Sequence, residues 1–162
     1  MSQLSYAVDQ AVAFAGMLAD AGMVQDVVTG ENLSAAIPFG VMTAIGAGAN
    51  QIALPAAAGD VTDVKKLVGV AIAHQAMESS ASGLPQYAPN SAVNVLKKGR
   101  VWVQVENAVT RGTSDVHVRY AGVGQRGGFR GAAVASETAV LPNAKWLSST
   151  TGAGLALLEI DL

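Results

Sequence analysis

The 162-residue sequence contains no cysteine. That absence excludes thiol catalysis, Cys-ligated zinc, iron–sulfur clusters and a disulfide scaffold. Charge is scarce too, at 14% of residues against about a quarter in an average domain, and aromatics make up only 5%. A soluble protein so short of charge is expected to cover much of its surface with something else. No stretch approaches the ~20 uninterrupted apolar residues of a membrane span. The apolar stretch 11–18 is bracketed by Asp9 and Asp20 and lacks the preceding basic residues of a secretory signal. The expectation is a soluble protein made inside the cell and not associated with membranes. A chain of this length buries roughly 70% of its unfolded surface, so one domain needs no metal or disulfide to hold a core.

The formal net charge of −2 hides an asymmetry. Asp9, Asp20, Asp26, Glu31, Asp60 and Asp63 precede Lys65 with no Lys or Arg among them, whereas ten basic and six acidic residues follow from Lys65 onward. The two parts attract each other, within a molecule or between neighbours. No basic run exceeds Lys97, Lys98 and Arg100, which disfavours nucleic acid as a partner.

Residues 1–35 show neither sustained alternation nor a helical stripe and are punctuated by Gly16, Gly22 and Gly30. They read as an extended arm, with at most a helical turn, that must lay Tyr6, Phe14 and Leu18 on its own domain or on a neighbour. Residues 36–162 read as a β domain. Ile37, Pro38 and Phe39 open an edge strand, since proline has no N–H for a central ladder. Short strands follow at 51–54 and 64–73, the second apolar enough to be buried on both faces. Serines, glycine and prolines mark 79–89 as a loop. Val93 and Val95 alternate into Lys97-Lys98-Gly99-Arg100 and on to Val101, Val103 and Val105. That pattern predicts a β-hairpin turning at Gly99 with the valines on one face. Residues 115–120 alternate as a strand with a half-solvated face of Asp115, His117 and Arg119; 132–135, 138–141 and 155–162 complete the set. About seven to nine short strands with regular turn signals predict a small antiparallel β-barrel, sandwich or jelly-roll-like domain.

Gly122, Gly124 and Gly127 satisfy G-x-G-x-x-G after a predicted strand, but β-type sequence follows, and Trp146 and Leu147 stand where dinucleotide binding needs an acid. No cofactor is assigned. Arg126 and Arg130 in the same glycine-rich stretch suit either a solvated loop or planar pairing with a carboxylate, on this chain or a neighbour. His74 and His117 belong to no ligand cluster, even with Glu78 four residues after His74, so no metal is assigned. There is no G-x-S-x-G elbow and no supported acid pair, hence no catalytic residue. Asn32-Leu33-Ser34 matches a glycosylation sequon that has no consequence without secretion.

The order of features is informative. Ala15-Gly16-Met17-Leu18-Ala19-Asp20, Ile37-Pro38-Phe39-Gly40, Leu67-Val68-Gly69-Val70-Ala71-Ile72, Tyr87-Ala88-Pro89 and Gly99-Arg100-Val101-Trp102-Val103 together resemble the structural cement (head decoration) proteins of tailed bacteriophages, from about residue 13 onward. The resemblance implies a non-enzymatic virion protein, made in the host cytoplasm, on the outer surface of the phage head. It further implies self-association as a homodimer or homotrimer and clamping of adjacent major capsid protein subunits. Tyr6, Phe14 and Leu18 on the arm, Ile37, Pro38 and Phe39 at the edge strand, and Arg126 and Arg130 on the glycine loop are the candidate partner-binding residues. The alternative is a soluble β-barrel module binding a receptor or carbohydrate, with Trp102, Tyr120 and Trp146 as its aromatic platform. If the arm is the docking element, removing residues 2–18 abolishes head binding and leaves a folded β domain; full occupancy of heads by the truncated chain would refute that.

Overall fold

The computed structural model describes residues 13–19, 25–32, 35–73, 78–79 and 85–162. Thirteen strands and one short helix run in the order β1 (Asp26–Asn32), β2 (Ile37–Pro38), β3 (Met42–Ile45), β4 (Ile52–Ala53), α1 (Gly59–Thr62), β5 (Leu67–Ala71), β6 (Glu78–Ser79), β7 (Pro85–Tyr87), β8 (Ser91–Val105), β9 (His117–Arg119), β10 (Phe129–Arg130), β11 (Thr138–Val140), β12 (Ala144–Trp146) and β13 (Gly154–Asp161). The mainly β class expected from the alternation is what forms. Ten strands make one sheet with the path β11-β9-β10-β8-β5-β3-β4, joined by β1 and β13 on β8 and by β12 on β13. A second sheet, β2-β7-β6, has β2 at its edge, where Pro38 needs no ladder partner on its open side. Among the described strands every pairing is antiparallel except β10 with β8. The path is open, without the closure of a barrel.

The predicted hairpin at Gly99 does not form. β8 is one continuous strand of 15 residues. Its first half pairs with β1 and β5, its second half with β13, and Lys98 sits opposite Asp26 on one edge and Asp161 on the other. The turn-like residues mark a bulge instead: Asp26 pairs with Lys98 and Val27 with Leu96, which leaves Lys97 without an opposite number. One extra residue reverses the side-chain phase of everything after it. Val93 and Val95 accordingly fill a smaller core with Ile37, Phe39, Ile52 and Tyr87, while Leu96, Val101, Val103 and Val105 fill the larger one with Phe129, Trp146, Leu158 and Ile160. Gly99, at φ +138, packs its backbone against Leu96 and Gln25 just beyond the slip.

Three further expectations change. His117 and Arg119 are not half solvated but buried, at 8% and 3% exposure, because the loops after β9 and β10 close over that face. Residues 132–135 form no strand; the pairing residues are Phe129 and Arg130, inside what reads as a glycine-rich link. Within 79–89, Pro85–Tyr87 is a strand held between β2 and β6, because the Tyr87 ring packs edge-on to Phe39 at 5.0 Å and its hydroxyl donates to the Ile72 carbonyl at 2.7 Å. The strand at 64–73 is found as β5, with Leu67 and Val70 in one core and Ala71 in the other. Strands β1, β3, β6 and β12 are additional. Asn32 is 1% exposed and donates its side-chain amide to the Ala88 carbonyl at 3.2 Å, so the sequon asparagine is a turn tie in the interior.

Gly69 tests this packing. At φ +149, any Cβ there would overlap the Leu96 carbonyl of β8. Gly69→Ala is expected to destabilise by about 2 kcal/mol or more, read as a lowered Tm, whereas Gly152→Ala, with open space around it, stays within about 0.5 kcal/mol of wild type. Equal melting of the two variants would show that β5 and β8 do not approach as described.

Candidate functional site

Four charged residues of a charge-poor chain converge beside β9. Arg119, 3% exposed, donates from Nε and Nη2 to the two Glu106 carboxylate oxygens at 2.9 and 2.7 Å, and from Nη1 to Glu137 and to the Ala121 carbonyl. Arg130 adds a bond from Nη1 to Glu106 Oε2 at 2.7 Å. Two arginines and two glutamates therefore neutralise one another, the planar fork of Arg119 meeting Glu106 bidentately. Burial pushes the Glu106 carboxyl up, but the hydrogen bonds from Arg119 and Arg130 outweigh it and hold the group below the usual carboxylate range. Glu106, above all, drives the Arg119 guanidinium still further from deprotonation.

This cluster explains the glycine motif. Residues 121–128 pass over it so closely that a Cβ at Gly122 would overlap the Glu137 carboxylate and one at Gly124 would sit 2.8 Å from Arg119 Nε; Gly127 faces the Met42 carbonyl in the same way. All three have positive φ. The glycines are there for close approach to protein, not to phosphate. Backbone bonds pin the base of the loop: Gly127 N–H donates to Arg119 O at 2.8 Å, Arg119 N–H to Gly128 O at 2.9 Å and Met42 N–H to Gly127 O at 2.8 Å. Its apex leaves Val123 95% exposed.

Beside the loop lies an apolar crevice of about 240 Å³ lined by Ala15, Pro38, Phe39, Pro85, Gln125 and Gly128, among others, none of them charged. Of the candidate residues, Pro38 and Phe39 line it, and Phe14 and Arg126 are sequence neighbours of lining residues. Phe14, 52% exposed, adjoins Ala15; Pro38 and Phe39 form one wall, although the Phe39 side chain, like that of Ile37, belongs to the smaller core. Arg126, in the loop between Gln125 and Gly128, donates to the backbone carbonyls of Pro55 at 2.8 Å and Leu54 at 3.4 Å. Two candidates lie elsewhere. Leu18 bridges to Val101 and packs on the larger core, and Arg130 is engaged by Glu106 of its own chain. Tyr6 and His74 fall outside the described residues. Sequence reasoning missed Glu106, Arg119, Glu137 and Val123; the signal available was the scarcity of charge, which makes any four charges that are brought together notable.

Among the described residues no group of three His, Asp or Glu side chains is placed to hold a metal. The three aromatics of the carbohydrate reading form no common platform: Trp146 is 2% exposed, stacked edge-on with Phe129 and donating to the Asp115 carbonyl at 3.1 Å, and Tyr120 packs on the larger core. Elsewhere, Lys98–Asp161, Arg100–Glu159 and Lys145–Glu159 form a ladder of ion pairs, exposed at Lys98 and Lys145 and partly buried at Arg100 and Glu159, beside an open concavity. Hydrogen bonds from Lys145 and Arg100 hold Glu159 low, yet pairs this exposed contribute little stability.

The Glu106 environment sets an acid limit. Its folded-state value lies below the unfolded value of 4.5, so its contribution is complete above that value and is lost as pH falls through the depressed one. Between about pH 5 and about pH 3 the Tm of the wild type should fall more steeply than that of Glu106→Gln. Parallel slopes would remove Glu106 as the titrating group.

With this geometry in hand, known proteins offer two points of reference. A solved chain from the capsid of Myoviridae phage XM1 superposes with a TM-score of 0.74 over 96% of this chain and 94% of its own, at 15% sequence identity, so the two share a fold. No curated protein sequence matches. The family model described as structural cement protein (E217 gp24/Pam3 gp6) matches residues 2–161, and the chain, its loops packed on ion pairs and its apolar crevice without a charged wall, belongs to that structural cement family, a structural protein of the phage head.

Proposed function

We propose that the protein docks on the outer surface of the head, associates with itself as a homodimer or homotrimer, and bridges adjacent major capsid protein subunits. The match to the cement family over residues 2–161 carries this reading. The physics of cementing fits a chain of this composition. A protein that binds only the assembled lattice stabilises it by mass action, and copies placed around a symmetry axis convert weak single contacts into strong collective ones. Apolar side chains left in water by the folded chain are the natural material of such contacts. Among the described residues Phe14 is the largest of them, since the other exposed large hydrophobics there are valines and an isoleucine.

Phe14 also gives the arm a specific role. The segment 13–19 lies along β8: Gly16 N–H donates to the Trp102 carbonyl at 2.8 Å, Trp102 N–H to Met17 O at 2.9 Å, and Ala19 N–H to Arg100 O at 3.1 Å. Residues 16–19 thus rest on their own chain through these backbone bonds, while the Phe14 ring faces out. Truncation through residue 18 would strip Trp102 of both partners, so a point substitution is the cleaner test. Phe14→Asp should keep the wild-type Tm yet lower the affinity for undecorated heads about tenfold or more in co-sedimentation. Wild-type protein is expected to bind heads saturably and raise the temperature at which they rupture. Failure of the wild type to bind expanded heads would reject the cementing role; normal binding of Phe14→Asp would reject only the arm as a contact.

A further inference from the structure

The loop 121–128 is held over charge and not over a core. Gly122, Val123, Gly124, Gln125 and Arg126 are all exposed, and what lies beneath them is the ion cluster. We propose that residues 121–125 form an acid-released flap: when Glu106 takes up a proton, they lift off Arg119 while both cores stay packed. The inference needs neither self-association nor head binding.

The buried guanidinium supplies the driving force. Arg119 is matched by Glu106 and Glu137, and Glu106 also meets Arg130, so two cations face two anions. A proton on Glu106 removes the one carboxylate that serves both arginines, and a buried cation short of its counter-ion is costly. The other groups on this face offer no relief. His117, two residues before Arg119 and so on the same side of β9, stands opposite Arg130 in the register. It is buried, its Nδ1 has no hydrogen-bond partner, and a proton there would only add a third cation. Asp115 is exposed, and Arg126 is held by the Pro55 and Leu54 carbonyls.

Lifting the flap is the short way to rehydrate Arg119. Gly124 crosses so close to the guanidinium that a Cβ there would touch Nε, so moving it admits water without opening either core. The bonds lost are Arg119 Nη1 to Ala121 O, Ala121 N–H to Glu137 O and Gly128 N–H to Gln125 O. The anchors are independent of the carboxylates: Gly127 N–H on Arg119 O, Arg119 N–H on Gly128 O, and Arg126 on Pro55 O. Segments that bury little apolar surface open far more readily than the whole domain unfolds. Hydrogen bonds from Arg119 and Arg130 hold the Glu106 carboxyl below its ordinary value of 4.5, so the closed loop is fully stabilised above that value and is released as pH falls below it.

Amide hydrogen exchange of the full chain, followed by NMR at pH 6 and pH 3.5 and corrected for the intrinsic rates, tests this. Protection of the Ala121 and Gly128 amides should fall about tenfold or more, while the ladder amides of β8 and β13 change less than about twofold. Glu106→Gln should show the low loop protection already at pH 6 and lack the acid step. Should that variant fail to fold, Glu137→Gln, which removes the other carboxylate on Arg119, should lower loop protection at pH 6 with the ladder intact. Loss of loop and ladder protection together would overturn the flap in favour of whole-domain unfolding. Wild-type loop protection in the folded variant would overturn the carboxylate latch, and an acid step abolished by His117→Gln but kept in Glu106→Gln would overturn it in favour of the histidine.

Discussion

The structure depends on β8 serving two cores at once. A regular strand offers one set of alternate residues to each face, and with that constraint Val93 and Val95 would share a face with Val101, Val103 and Val105. They do not: the extra residue at Lys97 turns the first pair toward Phe39 and Tyr87 and the later three toward Trp146 and Leu158. Every neighbour of β8 is arranged around that slip. β1 and β5 take the first half, β13 takes the second, and the segment 16–19 lies along the stretch near Trp102.

A second constraint is the burial of Arg119. A guanidinium with 3% exposure is tolerable only when its donors are matched by acceptors, and Glu106, Glu137 and the Ala121 carbonyl supply them. Because those acceptors lie directly under the loop 121–128, the loop has to be built from residues without side chains at the points of contact. Ionic bonding, glycine placement and the exposure of Val123 are therefore one feature seen at three levels.

The same physics decides how much of the fold is legible in the sequence. Alternation identifies β13, β11 and the residues of β8, because each of those stretches buries alternate residues, in β8 on either side of the slip at Lys97. It misjudges the connection at Gly99, since lysine, glycine and arginine describe a turn and a solvent-facing bulge equally well, and only the partners of Val93 and Val101 decide between them. Strand β1 is hidden because Thr29, Gly30 and Glu31 carry no β pattern and are placed by the edge of β8. Near the crevice, Phe14 and Pro38 are readable from the sequence as apolar residues with no local partner, and the structure leaves Phe14 exposed and puts Pro38 in the crevice wall. Ile37 and Phe39 look the same in one dimension, but they are core residues. The failure of the glycine motif as a nucleotide site is also readable, from the β-type sequence on its C-terminal side and the missing acid; its reason, the carboxylates and guanidinium beneath, requires contacts between residues 106, 119 and 137 that no local window contains.

The pairing of β8 with β13 joins residues far apart along the chain, Lys98 with Asp161 and Val105 with Gly154. During synthesis one edge of the second half of β8 thus stays open until the β13 segment emerges, and non-local pairing of this kind is slow to form. An open, valine-rich edge is a template for any other extended chain. Lys97, Lys98 and Arg100 place three positive charges on that strand, and charged side chains of this kind are what blunt edge-to-edge pairing.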